Sequence, residues 1–134
     1  MSTGGVLSSF TRLTNIPRAA GVAEPWATEV DGEPVFVKHA YDAFLSGDAS
    51  AQLRARLEAT GTRRLYVAGA LTKACVMFTC NSAFTLGYEV CVVADCCADR
   101  SREHHDAVLG VYDGYHIRVV QSGEVFVDGA SPGG

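Results

Sequence analysis

The sequence predicts an α/β fold, a mostly parallel sheet of about four strands with helices on both faces. Three observations predict it. Four short, Val-rich apolar runs alternate with helical patterns of about ten residues or more. The runs are apolar at consecutive positions, as in strands covered on both sides. Turn and cap residues punctuate the junctions. In such sheets ligands bind beyond the C-terminal ends of the strands.

The elements follow in order. Residues 1–14 are small and polar, with Val6, Leu7, Phe10 and Leu13 spaced for two turns of helix. Residues 15–34 hold three of the four prolines and read as loop, with Asp31-Gly32 as a turn signal. Val35-Phe36-Val37 is a β-rich run that stops at Lys38. Asp48-Ala49-Ser50 opens a helix to about Thr60, with Leu53 and Leu57 on one face and Gly61 as its stop. Residues 65–68 predict a buried strand, 69–74 a turn, and 75 to about 86 a helix ended by Gly87. Residues 88–94 predict a second strand with Asp95 at its C-terminal end. Residues 101–112 predict a helix and 117–120 a last strand closed by Gln121. Residues 1–128 form one expected domain, and the Gly/Ser/Pro-rich residues 129–134 a flexible tail.

Composition removes several classes of function. Eleven Lys and Arg against 15 Asp and Glu give a net charge of −4, which is no electrostatic footprint for nucleic acid. The apolar runs are strand-sized, so no membrane-spanning helix is expected. The N-terminus lacks a basic stretch followed by an apolar block, so no secretory signal is expected. The five cysteines, Cys75, Cys80, Cys91, Cys96 and Cys97, cannot pair completely and sit inside apolar segments. That usage fits free thiols in a reducing, cytoplasmic compartment.

Cys75 is the leading chemical candidate. It follows a strand by a tight turn and opens a helix, whose N-terminal N–H groups stabilise a thiolate and can hold an oxyanion. The other reading is a small buried hydrophobe. Lys38 ends a strand where a parallel sheet presents its site, and its charge can lower a thiol pKa. Its alternative is a solvated lysine. Cys96, Cys97, His104 and His105 do not have a zinc-finger spacing, so no metal is expected. There is neither GxGxxG nor a P-loop, and no cofactor is expected.

The stretch Gly69-Ala-Leu-Thr72-Lys-Ala-Cys75-Val-Met-Phe-Thr79, then Ala83, Gly87-Tyr88 and Val93-Ala-Asp95, resembles the core of the isochorismatase-like cysteine hydrolases. Upstream, Gly32-Glu-Pro-Val35-Phe-Val-Lys38-His-Ala-Tyr41-Asp42-Ala-Phe44 resembles that family's lysine block. Downstream, Ala98-Asp99-Arg100, His105 and residues 117–122 match in order. The resemblance covers about residues 20–126 and implies a Rossmann-like three-layer sandwich. It also implies hydrolysis of C–N bonds in small amides, imides or ureido compounds, as in nicotinamidases and carbamoyl-compound amidohydrolases. It places the nucleophile on Cys75 and the triad lysine on Lys38. It places a cis peptide on Ala70-Leu71 and oxyanion donors on the N–H groups of Leu71 and Cys75.

The family opens with a strand that ends in the triad Asp, and this sequence has no counterpart, so the fold is expected to be N-terminally truncated. Asp42, four residues beyond Lys38, is the internal candidate for a substitute acid; its other reading is a helix cap. Trp26, Tyr41 and Phe44 are candidates for lining an apolar pocket, or plain core. Three functional readings stand beside one another. The chain is a small cysteine amidohydrolase acting on a small molecule through a thioester, an inactive remnant that binds small molecules or proteins, or a fragment of a longer or two-chain hydrolase. With the central strand missing, residues 35–37 are expected to pair beside residues 65–68. The uncovered apolar surface is expected to drive a homodimer or larger oligomer.

Overall fold

A computed structural model describes residues 31–125. The helix expected near residues 6–13, Trp26 and the tail 129–134 lie outside the described residues. The sheet has three parallel strands in the order β1-β2-β3: β1 Arg64–Ala70, β2 Glu89–Ala98 and β3 Arg118–Val120. The helices are α1 Asp48–Ala59, α2 Met77–Thr85, α3 Arg102–Tyr112 and the short α4 Ser122–Val125. A 3₁₀ turn, Ala43–Leu45, precedes α1.

Alternation along β2 divides the core. Val90 and Val92 face Val76 of the β1–α2 connection, Met77, Cys80 and Ala83 of α2 and Leu109 of α3, with Leu53 and Leu57 of α1 packed alongside. Val92 is fully buried, which contributes about 2 kcal/mol for a valine. Cys91 and Val93 face the other side, where they meet Val120 and Val125. The three longer helices therefore share one face, and α4 supplies the cover described on the other.

Local chemistry ends the helices. Gly61 and Gly87 stand just past α1 and α2. Their N–H groups bond to the carbonyls of Glu58 and Phe84, while those of Thr62 and Tyr88 reach Leu57 and Ala83. Both are Schellman closures. Gly87 adopts φ +97°, a left-handed conformation that a side chain disfavours.

Two expectations need correction. The sheet described has three strands, and residues 35–37 are not one of them: Val35 and Val37 are 58% and 65% exposed. A β-rich triplet forms a strand only where a neighbour supplies ladder bonds and packing. β2 also runs past Asp95 to Ala98. The register shifts after Val67↔Val92, so that Gly69 and Ala70 pair with Cys97 and Ala98. The irregularity lets β2 carry polar residues at its C-terminal end and still hold the last residues of β1.

Candidate active site

The C-terminal end of β1 leads directly into the turn that carries Cys75. The Ala70–Leu71 peptide bond is cis, and Leu71 is extended (φ −85°, ψ 146°). A π-helical turn, Thr72–Val76, then runs into α2. The Leu71 carbonyl accepts hydrogen bonds from the N–H groups of Ala74 (3.1 Å) and Val76 (3.2 Å), the residues on either side of Cys75. The five-residue step from Leu71 to Val76 makes the turn wider than an α-helical one. Leu71, at its N-cap position, makes no side-chain cap bond. Cys75 is half-buried.

The turn is held from another element. Thr72 is fully buried, and its Oγ1 shares a 2.8 Å hydrogen bond with Nδ1 of His105, a buried residue in the first turn of α3. The Lys73 N–H donates to Asp99 Oδ2 at 2.8 Å. The Lys73 ammonium lies 3.7 Å from Asp99 Oδ1 and donates to His104 Nδ1 at 2.7 Å. Burial acts to raise the Asp99 pKa. Hydrogen bonds from the Lys73 and Arg100 N–H groups, with the charges of Lys73 and His104, outweigh it and hold the carboxyl below its ordinary value.

The lysine block docks on the same helix. Lys38 is half-buried, and its Nζ donates to the Ala40 carbonyl at 2.9 Å. The Ala43 N–H donates to Thr79 Oγ1 at 3.1 Å, and the rings of Tyr41 and Phe78 lie 5.7 Å apart. Thr79 sits four residues beyond Cys75, so the block meets α2 about one turn past the cysteine.

Asp42 serves as a cap. Its Oδ1 accepts from the Phe44 N–H at 2.8 Å, and its Oδ2 accepts from Ser82 Oγ. The carboxylate is buried and each oxygen accepts a hydrogen bond, which is the cap that the sequence offered as the other reading of Asp42. Phe44 is a core residue, stacked on Tyr88 at 6.0 Å. Tyr41 packs on Phe78, and Trp26 lies outside the described residues.

The remaining thiols differ in environment. Burial, with the neighbouring Cys97 adding to it, pushes Cys80 up to about 12. Burial also raises Cys97. Cys91 is buried and Cys96 exposed. Among the described residues no group of three or more His, Cys, Asp and Glu side chains is placed to hold a metal ion. His104 and His105 are instead engaged by Lys73 and Thr72.

The partnership of Thr72 with His105 was not legible in the sequence, because 33 residues separate the two. The available signal was a histidine among the apolar positions of α3, opposite a threonine in the cysteine turn. A buried imidazole needs a polar partner.

Comparison with known proteins gives a consistent relationship. Residues 14–124 match the isochorismatase domain model. An uncharacterized isochorismatase family protein of Bacillus subtilis is 31% identical over 80 residues, which are 60% of this chain and 42% of that protein. An isochorismatase-family structure from Chromobacterium violaceum superposes with a TM-score of 0.68 and 30% identity, covering 79% of this chain and 58% of the other. A Staphylococcus aureus nicotinamidase superposes with a TM-score of 0.54 and 28% identity, covering 61% and 49%. An isochorismatase from Pseudomonas putida shares the fold, with a TM-score of 0.72 at 23% identity over 80% of this chain and 58% of the other. The chain thus spans less than two thirds of the length of each of these relatives.

Proposed function

This chain belongs to the isochorismatase family, and from that membership we propose that it hydrolyses a C–N bond of a small amide, imide or ureido compound with Cys75 as nucleophile. The observation that carries the reading is the setting of Cys75. It occupies a π-turn at the C-terminal end of a parallel strand, flanked by the two residues whose N–H groups close on the Leu71 carbonyl. Similarity to a nicotinamidase supports a small amide as the substrate class.

In this reading the Cys75 thiolate attacks the substrate carbonyl carbon and forms a C–S bond. The N–H groups of Leu71 and Cys75 hold the oxyanion. The C–N bond then breaks, and the amine leaves with the proton that the thiol gave up. Water attacks the thioester, releases the acid and restores the thiol. Lys38 supplies positive charge that favours the thiolate. A second reading, a module that binds the small molecule without turnover, is favoured by one observation: the Asp42 carboxylate is engaged by the Phe44 N–H and by Ser82 Oγ as a buried cap.

Ammonia release from nicotinamide, pyrazinamide and N-carbamoyl amino acids tests the proposal. The purified chain should release ammonia from at least one, and Cys75→Ala should reduce that release to background. Release that persists in Cys75→Ala would overturn the nucleophile. Failure with every probe, while Cys75 still reacts with an alkylating agent, would favour the binding module.

A further inference from the structure

We infer that Thr72 and His105 are positioning residues, a buried latch that sets the Cys75 turn from outside; the inference rests on the reading of Cys75 as nucleophile. A threonine at the start of a helix ordinarily turns its hydroxyl to the N–H groups of its own first turn. Thr72 does not: its hydroxyl bonds to His105 Nδ1 at 2.8 Å, and Leu71 at the N-cap position makes no side-chain cap bond. The next residue repeats the pattern, since the Lys73 N–H goes to Asp99. Two consecutive residues, three and two positions before Cys75, are thus fastened to the segment that enters α3.

This arrangement has a chemical consequence. An intra-turn cap would fix the turn by occupying its N–H groups, the donors that an oxyanion needs. The latch to a separate element fixes the same turn through Thr72 Oγ1 and the Lys73 N–H, and uses neither the Leu71 nor the Cys75 N–H to do so. Thr72 and His105 are both buried, so neither finds water as a substitute partner, and losing one strands the other. The expected effect is displacement of the Cys75 sulfur from its working position, which is enough to lower reactivity by an order of magnitude or more.

The test measures iodoacetamide alkylation of each cysteine in the full chain by peptide mass spectrometry. Exposed Cys96 serves as the internal reference, and buried Cys80 and Cys91 report on unfolding. Thr72→Val and His105→Leu should each lower the Cys75-to-Cys96 rate ratio about tenfold while Cys80 and Cys91 stay protected. Thr72→Ser keeps the hydroxyl, and His105→Asn keeps a polar atom near the Nδ1 position. Both should retain the ratio within about threefold. An unchanged ratio in Thr72→Val with the buried thiols protected would overturn the latch. If the apolar variants unfold and expose Cys80 and Cys91, the conservative pair decides, and loss of the ratio in Thr72→Ser and His105→Asn would overturn it. If wild-type Cys75 is no faster than Cys96, it is the nucleophile reading that fails.

Discussion

Two helices leave the sheet at the C-terminal ends of neighbouring parallel strands and begin in different ways. α3, after β2, starts in the ordinary manner: Ser101 is extended (φ −142°, ψ 152°) and its Oγ accepts from the His104 N–H at 3.1 Å. α2, after β1, starts through a widened turn whose N-cap residue Leu71 makes no side-chain cap bond, and Thr72 and Lys73 are secured by His105 and Asp99. The capped start satisfies its own N–H groups and has little left to offer a ligand. The uncapped start borrows its rigidity from the capped one. A stable helix end is therefore used as the anchor for a turn that is fastened without the Leu71 and Cys75 N–H groups, and that turn carries the one cysteine that follows a strand directly.

The comparison can be broken from the capped side. Ser101→Ala removes the α3 cap and should cost about 1 kcal/mol of stability, read from urea unfolding. Because Thr72 and Lys73 are fastened to this end of α3, the same variant should slow Cys75 alkylation more than that of Cys96. A fall in stability with the cysteine ratio untouched would separate the two helix starts that the comparison joins.

A smaller effect should appear at acid pH. The Asp99 carboxyl titrates below its ordinary value in the folded chain. Its contribution to stability is therefore fully present above the unfolded carboxyl range, near pH 4, and is lost as pH falls through the lower folded value. Asp99→Asn should flatten that part of the stability profile by lowering stability at neutral pH, with little change in acid where the carboxylate no longer contributes. A wild-type acid limb identical to that of Asp99→Asn would remove Asp99 from the anchor.

Much of this fold was legible because it is set by local chemistry. Gly61 and Gly87 ended helices where the sequence placed the ends, and the Val-rich run at 90–93 marked the strand buried on both faces. What was not legible depends on partners far along the chain. Residues 35–37 have strand composition but no ladder. β2 continues through Asp95, Cys96 and Cys97 because the end of β1 pairs there after the register shift. Asp95 spends its carboxylate on Ser122, whose hydroxyl and N–H hold it below its ordinary pKa and start α4, a helix too short to show a period. At the site, the cysteine, the lysine and the turn could be picked out from residue type and spacing. The cap role of Asp42 was among the readings the sequence offered, while its bond from Ser82 and the pairing of Thr72 with His105 required the tertiary structure, since those partners lie 40 and 33 residues away.

The central claim is that the Cys75 turn, and not exposure, decides which thiol reacts. The most direct measurement is the rate of iodoacetamide alkylation at Cys75 and at Cys96 in the native chain at neutral pH. Exposure alone ranks Cys96 first, since it is exposed and Cys75 is half-buried. The account predicts the reverse order, with Cys75 labelled before Cys96. Cys96 labelled first, or the two labelled at equal rates, would contradict it.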